Sequence, residues 1–305
     1  MLSIIICSRN RSITGELADN IKNTVGVDYE IITIDNSENN YSICSAYNIG
    51  FTKSKYPYVC FVHEDVLFHT QKWGEKIISH LEINNTGIIG FAGSRLVTRV
   101  PIPWLLPNVN IIQSDKTGKK DTEKVKSPEN YDQTKQTVIF LDGVMLSMNR
   151  ELMMKIKFDE SLSGFHGYDY DISIQSTISG YTNYVVYDIE IEHFSRGKTD
   201  ALYYHNLITI FKKWERYLPL IGKSITKDEK DKIRYFEEKG LTRLTKLMIR
   251  KGFSTEKIIA ETSYFATLIN LKKKFSKLKY IRLHIFIARA FNKPVYLLKS
   301  KQLKF

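Results

Sequence analysis

The sequence is short of cysteine and of long apolar runs, and each shortage excludes a class of protein. Its 305 residues include three cysteines, Cys7, Cys44 and Cys60, each in or beside an apolar stretch. Three such residues do not make the disulfide framework of a small secreted domain, so we expect reduced thiols and a cytoplasmic protein. No stretch approaches the roughly 20 apolar residues that span a bilayer. The apolar residues 1–7 are too few for a signal peptide, and arginines follow them rather than precede them.

Basic side chains are concentrated in the last third of the chain. Residues 201–305 hold 25 Lys and Arg against 8 Asp and Glu, a net charge of +17, whereas residues 1–200 carry −5, for a total of +12. We therefore predict two parts, a mildly acidic body over residues 1–200 and a basic helical region over residues 201–305. A surplus of positive charge favours anionic partners.

The end of the basic region has an amphipathic pattern. Lysines interleave with apolar residues over 270–305, where Leu278, Ile281, Ile285 and Ala288 fall on one side of a helix. Such a helix could lie in an anionic lipid interface, which would place the protein peripherally on the inner face of the plasma membrane. The same stripe could instead pack on the rest of the chain or on a second subunit of a homo-oligomer. We expect no nucleic acid partner, because no recognised nucleic-acid-binding module accompanies the charge.

The first 90 residues alternate between strand and helix signals. Apolar, β-branched runs at 3–7, 30–35, 58–62 and 87–91 predict buried strands, and apolar residues at helical spacing predict a helix after each of the first three. Strands separated by helices indicate parallel pairing with right-handed crossovers, which is the pattern of an α/β fold.

Residues 95–136 lose this pattern and contain four prolines and a charged run. We predict a long loop there, either a functional lid or a disordered insertion. Strand signals return at 137–141 and 184–191, with helices near 150–157 and 170–179.

Polar residues follow the first three predicted strands, at 8–11, 35–37 and 63–65. Because ligands of such sheets bind at the carboxyl ends of the strands, we expect these residues to converge on one edge. Glu64 and Asp65 form a carboxylate pair on a short turn, which suits Mg²⁺ or Mn²⁺. Acidic residues after a strand are also common in ordinary turns and helix caps.

Two further clusters combine carboxylates with histidine. Asp169 and Asp171 lie just before a predicted helix; Asp169, placed on the turn, is a candidate general base, although both carboxylates could simply cap the helix. His193 follows the last predicted strand and could complete a metal site or contact a diphosphate, with Arg196 close in sequence. A lone histidine is more often a structural residue whose hydrogen bonds are satisfied by its neighbours.

In this order, the clusters resemble the GT-A glycosyltransferases of family 2, and within them the bacterial domain of the streptomycin-biosynthesis (StrF-like) type. The resemblance covers about residues 1–215. It is carried by the stretches 5–10, 34–37, 46–50, 60–66, 141–143, 164–171 and 211–214, together with His193.

The resemblance implies a Rossmann-like mixed sheet flanked by helices. It also implies inverting transfer of a sugar from a nucleotide-sugar donor to a glycan or lipid-linked acceptor, in the synthesis of bacterial surface glycans. By the same resemblance, Asp169 is the catalytic base, and Asp65, His63 and His193 are ligands of Mn²⁺ or Mg²⁺. The implied nucleotide-sugar-binding residues are Ser8, Arg9, Asp35, Asn36, Asn48, Glu64, Asp142 and Gly143.

Two residues depart from the family pattern. His63 stands at the first aspartate of the Asp-x-Asp motif, which leaves the identity and the need of a metal open, and Tyr168 stands where relatives commonly have glutamate. The Gln-x-x-Arg-Trp signature of processive synthases is absent, so we expect single additions. These departures keep an alternative open: a non-catalytic nucleotide-sugar-binding protein or a membrane-associated scaffold.

Overall fold

The computed structural model describes residues 1–114, 134–195 and 199–271, and the backbone of 123–126. The described chain divides into two compact units. Unit 1 comprises 1–96, 104–114, 123–126, 134–195 and 221–224, and unit 2 comprises 97–103, 199–220 and 225–271. Among the described residues, no helix is both long and apolar enough to cross a membrane.

Fifteen strands and nine α-helices are described, with one 3-10 helix at Glu215–Tyr217. The strands are β1 (Leu2–Ser8), β2 (Tyr29–Asp35), β3 (Tyr58–Val62), β4 (Val66–Phe68), β5 (Thr86–Gly90), β6 (Ala92–Ser94), β7 (Leu96–Val97), β8 (Pro107–Gln113), β9 (Glu123–Lys126), β10 (Lys135–Val138), β11 (Phe140–Leu141), β12 (Met145–Asn149), β13 (Thr182–Val186), β14 (Ile191–His193) and β15 (Leu220–Ile221). The helices are α1 (Gly15–Thr24), α2 (Ile43–Lys53), α3 (Trp73–Leu81), α4 (Arg150–Lys155), α5 (Tyr168–Ile178), α6 (Ala201–Lys213), α7 (Lys227–Asp231), α8 (Ile233–Arg250) and α9 (Thr255–Leu268).

The main sheet of unit 1 is mixed, with the strand order β10-β13-β5-β12-β3-β1-β2. The first three strands pair in parallel, as their alternation with helices predicted, while β12 runs antiparallel between β3 and β5. This confirms the predicted α/β class with a Rossmann-like mixed sheet. Both faces of this sheet are buried against apolar residues, which is why the sequences of β1 and β3 are continuous hydrophobic runs.

Helix α2 shows how closely the helices pack on this sheet. Ser42 caps its first turn by accepting from the amide of Ser45. Gly50 lies where α2 crosses β1, and a Cβ atom there would sit 2.3 Å from Cγ2 of Ile5. A side chain at position 50 would therefore push α2 off the sheet, which explains the glycine by packing alone.

A second sheet, in the order β11-β6-β8-β14-β4, corrects the prediction of a long loop at 95–136. That segment contains β8, which pairs with β6, β9 and β14, and the short strands β7 and β9. Pro107 is the first residue of β8, a position where a strand tolerates the missing amide donor. The remainder of the predicted loop, 115–122 and 127–133, lies outside the described residues.

Three element boundaries also differ from those predicted. The run 137–141 is divided at Ile139 between β10 and β11, and the run 184–191 is divided between β13 and β14. Helix α5 begins at Tyr168 after Gly167, whose φ of +88° ends the preceding turn. Asp169 is consequently in the first turn of α5 rather than on the turn before it.

Unit 2 is helical and contains an ion pair whose carboxylate is buried and whose guanidinium is partly exposed. The carboxylate of Glu237 on α8 is inaccessible to solvent and accepts two hydrogen bonds from the Arg99 guanidinium, at 2.9 and 2.7 Å, and a third from the Arg99 amide. Two parallel N–H donors match the two carboxylate oxygens, so the buried charge is compensated. This pair fastens the segment 97–103 to α8.

Candidate active site

The carboxyl ends of β1, β2 and β3 bring the first three polar clusters to one edge of the main sheet. In the strand register, Ser8 faces Asp35 across β1 and β2, and Ile6 faces Val62 across β1 and β3. His63 follows Val62 directly. The geometric part of the prediction is therefore confirmed: the polar residues that end these strands are neighbours.

A potential metal site lies at this edge, formed by His63, Asp65 and His193. One ligand atom from each lies within 4.8 Å of the others. The Nε2 atom of His193 is 3.5 Å and the Nδ1 atom of His63 is 3.9 Å from Oδ1 of Asp65. Antiparallel pairing of β14 with β4 sets His193 opposite Val66, and this places the imidazole beside Asp65.

The three residues fit a divalent cation. Donor atoms around a cation at about 2.1 Å lie roughly 3 to 4 Å apart, so small side-chain movements would close the group. Burial acts to raise the pKa of Asp65, but hydrogen bonding and charge from His193, together with the charge of His63, outweigh it and hold that pKa well below its usual range. Burial and the neighbouring His193 lower the pKa of His63. Carboxylate and neutral imidazole are the forms that bind metal.

Tyr168 joins this group to the loop that follows β11. Its hydroxyl lies 2.9 Å from Nε2 of His63 and donates to the carbonyl oxygen of Gly143 at 3.0 Å. The ring is buried, and burial raises the pKa of the Tyr168 phenol well above its usual value. A Cβ atom on Gly143 would lie 1.9 Å from this hydroxyl, so the glycine is required by Tyr168 itself. The two departures from the family pattern, His63 and Tyr168, thus touch each other.

Asp169 and Asp142 form a carboxylate pair next to that contact. Asp169 accepts from the amides of Tyr170 at 2.9 Å and Gly143 at 3.3 Å, and Asp142 accepts from the amide of Val144 at 3.0 Å. Burial, with the like charge of Asp142 next in importance, raises the pKa of Asp169 to about 7. A carboxyl with such a pKa can take up or release a proton near neutrality.

Glu64 has a different place from Asp65. Its carboxylate accepts from the Ser8 hydroxyl at 2.6 Å and from the Arg9 amide at 3.2 Å, and so ties the turn after β3 to the loop after β1. The Ser8 hydroxyl in turn accepts from the amide of Asn10 at 3.1 Å. The structure therefore directs Glu64 to the loop that carries Ser8 and Arg9, and not to the His63, Asp65 and His193 group.

Three more of the residues predicted to bind the nucleotide sugar, Asp35, Asn36 and Asn48, have different environments. Asp35 is exposed, and hydrogen bonds from the amide and hydroxyl of Ser37 lower its pKa. The Asn36 side chain is buried, and its two amide atoms bond to the main chain of Tyr41. Asn48 donates to the Phe158 carbonyl at 2.9 Å and to Glu160 at 2.8 Å.

Ser195 is a polar neighbour that the sequence analysis missed. Its hydroxyl is 3.4 Å from Nε2 of His193, and its hydrogen bond helps to lower the pKa of Asp65. Its signal in the sequence was only its place two residues after His193. The contact between His63 and Tyr168 was also missed, because nothing in the sequence links positions so far apart.

Solved structures with a similar fold include one complex with a nucleotide sugar and one with a nucleotide, a sugar and a metal ion. S. aureus TarS 1-349 in complex with UDP-GlcNAc shares 13% identity and a TM-score of 0.53, over 95% of this chain and 87% of that one. GalNAc-T7 with UDP, GalNAc and Mn²⁺ shares 12% identity and a TM-score of 0.50, over 88% of this chain and 57% of that one. This chain thus matches little more than half the length of GalNAc-T7. At such identities the likeness shows the fold, which is that of the GT-A glycosyltransferases.

Comparison of sequences gives the family. No curated protein sequence matches the chain significantly. Residues 3–215 match the family model described as "Glycosyltransferase like family", a stretch that includes every residue of the site. The chain therefore belongs to this glycosyltransferase-like family.

Proposed function

We propose that this protein is an inverting glycosyltransferase that moves a sugar from a nucleoside-diphosphate sugar to a hydroxyl acceptor. One observation carries the proposal. A continuous series of contacts runs from Asp65 through His63, Tyr168 and Gly143 to Asp169. A group able to hold a cation and a carboxylate able to accept a proton therefore belong to one site, and transfer of a sugar from a diphosphate can use both.

His63, Asp65 and His193 would hold a divalent cation, Mn²⁺ or Mg²⁺. A bound cation would neutralise charge on the departing diphosphate. Support comes from the donor atoms within 4.8 Å of one another and from the Mn²⁺ present with GalNAc-T7, a protein of similar fold.

Asp169 would act as the base that accepts the proton of the acceptor hydroxyl. Its raised pKa means that the conjugate acid is weak enough for the carboxylate to be an effective base near pH 7. Asp142 and Gly143, which contact Asp169 or lie against Tyr168, would form the floor under the donor sugar. This arrangement supports direct displacement, and hence inversion at the sugar.

The nucleotide would bind at the ends of β1 and β2, with Ser8, Arg9 and Asp35 near the base and ribose. In this proposal Glu64 acts by holding the Ser8–Arg9 loop, while Asn36 and Asn48 support the adjoining segments through their bonds to Tyr41 and to 158–160. TarS and GalNAc-T7 share the fold, and the UDP-GlcNAc bound to the first and the UDP and GalNAc bound to the second support a nucleotide sugar as the ligand.

The acceptor would be a bacterial surface glycan or its lipid-linked precursor, extended by single additions as in the StrF-like subtype. Residues 1–200 would be the catalytic domain and 201–305 a basic helical region. That region would contact an anionic membrane surface on the cytoplasmic side through 270–305, or a second subunit. All but two residues of 270–305 lie outside the described part of the chain, so this proposal rests on the charge pattern alone.

The test is turnover of a panel of nucleotide sugars with Mn²⁺ or Mg²⁺, read as release of nucleoside diphosphate. Asp169→Asn should lower turnover at least about 100-fold, as expected for loss of a general base. Asp19→Asn, which alters an exposed carboxylate on α1, is the matched control and should behave as wild type. Equal turnover by wild type and Asp169→Asn would contradict the assignment of the base. Binding without turnover would support the non-catalytic alternative.

A further inference from the structure

Tyr168 makes a hydrogen-bond arrangement that fixes the tautomer of His63. The phenol has one proton, and it donates to the carbonyl oxygen of Gly143, a group that can only accept. The phenol oxygen is then left to accept from Nε2 of His63 at 2.9 Å. A neutral imidazole has one N–H, so a proton on Nε2 leaves Nδ1 with its lone pair.

The nitrogen that keeps this lone pair lies beside the carboxylate of Asp65. Nδ1 is the His63 atom 3.9 Å from Oδ1 of Asp65, and the His63 and His193 rings lie 5.6 Å apart. An unprotonated Nδ1 of His63 and the ionised carboxylate of Asp65 are both acceptors, so they cannot form a hydrogen bond with each other. A cation between them satisfies both, and a metal-bound histidine commonly uses its second nitrogen to donate a proton to an orienting partner.

We infer that Tyr168 is a positioning residue that holds His63 as an Nδ1 ligand, so that two imidazoles and one carboxylate make the site prefer a first-row transition metal such as Mn²⁺ or Co²⁺ over Mg²⁺. This inference rests on the proposed function, since it concerns the cation of the same site. Imidazole is a good ligand for transition metals, whereas Mg²⁺ takes oxygen ligands and keeps several waters. The preference follows from having histidine at position 63 and from the hydroxyl that orients it.

The rigidity of Tyr168 gives the contact its effect. The ring is 4% exposed and packs with Tyr47, Phe158 and the backbone of Gly143, so the hydroxyl cannot turn away from His63 without repacking. Among the described residues, Tyr47 offers a matched comparison. Its ring is buried in the same cluster, at 5.7 Å from that of Tyr168, and its hydroxyl interacts with Tyr168.

The experiment is a binding titration of the full chain with MnCl₂, CoCl₂ and MgCl₂, read by calorimetry and, for Mn²⁺, by the loss of the free-ion electron paramagnetic resonance signal. Wild type should bind Mn²⁺ and Co²⁺ more tightly than Mg²⁺. Tyr168→Phe should weaken Mn²⁺ and Co²⁺ at least about 10-fold, the usual effect of losing an outer-shell partner. It should leave Mg²⁺ nearly unchanged, and Tyr47→Phe should change none of the three by more than about 2-fold.

Two further arms separate the outcomes. In a His63→Ala background, Tyr168→Phe should have no added effect on Mn²⁺; an added loss would overturn the claim that Tyr168 acts through His63. Nitrogen-15 shifts of histidine-labelled wild type should show His63 protonated on Nε2 without metal, a measurement that holds even if Tyr168→Phe fails to fold. Protonation on Nδ1, or unchanged Mn²⁺ affinity in folded Tyr168→Phe, would overturn the inference and leave the proposed function intact. If wild type bound none of the three metals, the inference and the proposed cation site would fail, whereas sugar transfer would still be decided by the turnover of wild type and Asp169→Asn.

Discussion

Replacing Asp169 should remove a charge that destabilises the folded protein at high pH. The pKa of its carboxyl is raised to about 7, first by burial and then by Asp142, whereas an unfolded aspartate titrates near about 3.9. Between these values the folded state binds more protons than the unfolded state, so the free energy of unfolding falls as pH rises through this window. The difference of about 3 pH units corresponds to roughly 4 kcal/mol, and we halve it to about 2 kcal/mol because the side chain keeps some exposure to solvent.

The assay is urea unfolding of wild type and Asp169→Asn at pH 5 and pH 8. The substitution removes one hydrogen-bond acceptor at every pH. The informative quantity is therefore how the difference in free energy of unfolding between the two proteins changes with pH. Only about two of these three pH units lie between pH 5 and pH 8, so relative to wild type Asp169→Asn should gain about 1 kcal/mol of stability over that interval. In an Asp142→Asn background the gain should shrink, because the like charge is gone. A pH-independent difference would refute the reasoning, and with it the electrostatic basis for Asp169 as a base.

Three other substitutions test contacts described above. Arg99→Met should destabilise the protein by about 3 to 5 kcal/mol, measured by denaturant unfolding, because it leaves the Glu237 carboxylate buried and unpaired; adding Glu237→Gln should recover part of the loss. Ser8→Ala and Glu64→Gln should be non-additive, with a coupling of about 1 kcal/mol in a double-mutant cycle, since they share one hydrogen bond of 2.6 Å. Gly143→Ala should lower both thermal stability and turnover, because its Cβ would lie 1.9 Å from the Tyr168 hydroxyl, and wild-type stability in that variant would contradict the packing.

The parts of the fold with regular periodicity could be predicted from the sequence. Strands β1, β2 and β3 are uninterrupted apolar runs separated by helices, so their parallel pairing and the convergence of Ser8, Asp35 and His63 followed from general rules of α/β sheets. Asp65 and His193, which the structure brings together, were candidates from the sequence because each belongs to a polar cluster at the end of a predicted strand.

The second sheet could not be predicted in the same way. Its strands are short, β8 begins with proline, and β14 has three residues, so none shows a period long enough to recognise. Their pairing depends on contacts between distant parts of the chain. The same holds for Tyr168: from the sequence it was a departure from a motif, and only the packing of α5 against the loop at Gly143 shows that its hydroxyl meets His63.

The three proposed metal ligands come together only after the short strand β14 has paired with β4. Ser8, Asp35 and Asp65 all lie in the first quarter of the chain, at the ends of β1 and β2 and in the turn after β3, but His193 reaches Asp65 only through the pairing of β14 with β4. During synthesis, the nucleotide side of the site could therefore form well before the cation group is complete. A ribosome-bound chain that ends before β14 would contain the residues proposed to recognise a nucleotide and lack one of the three that would hold the metal. The cation group proposed here thus depends on β14, a strand of three residues, to bring His193 to Asp65.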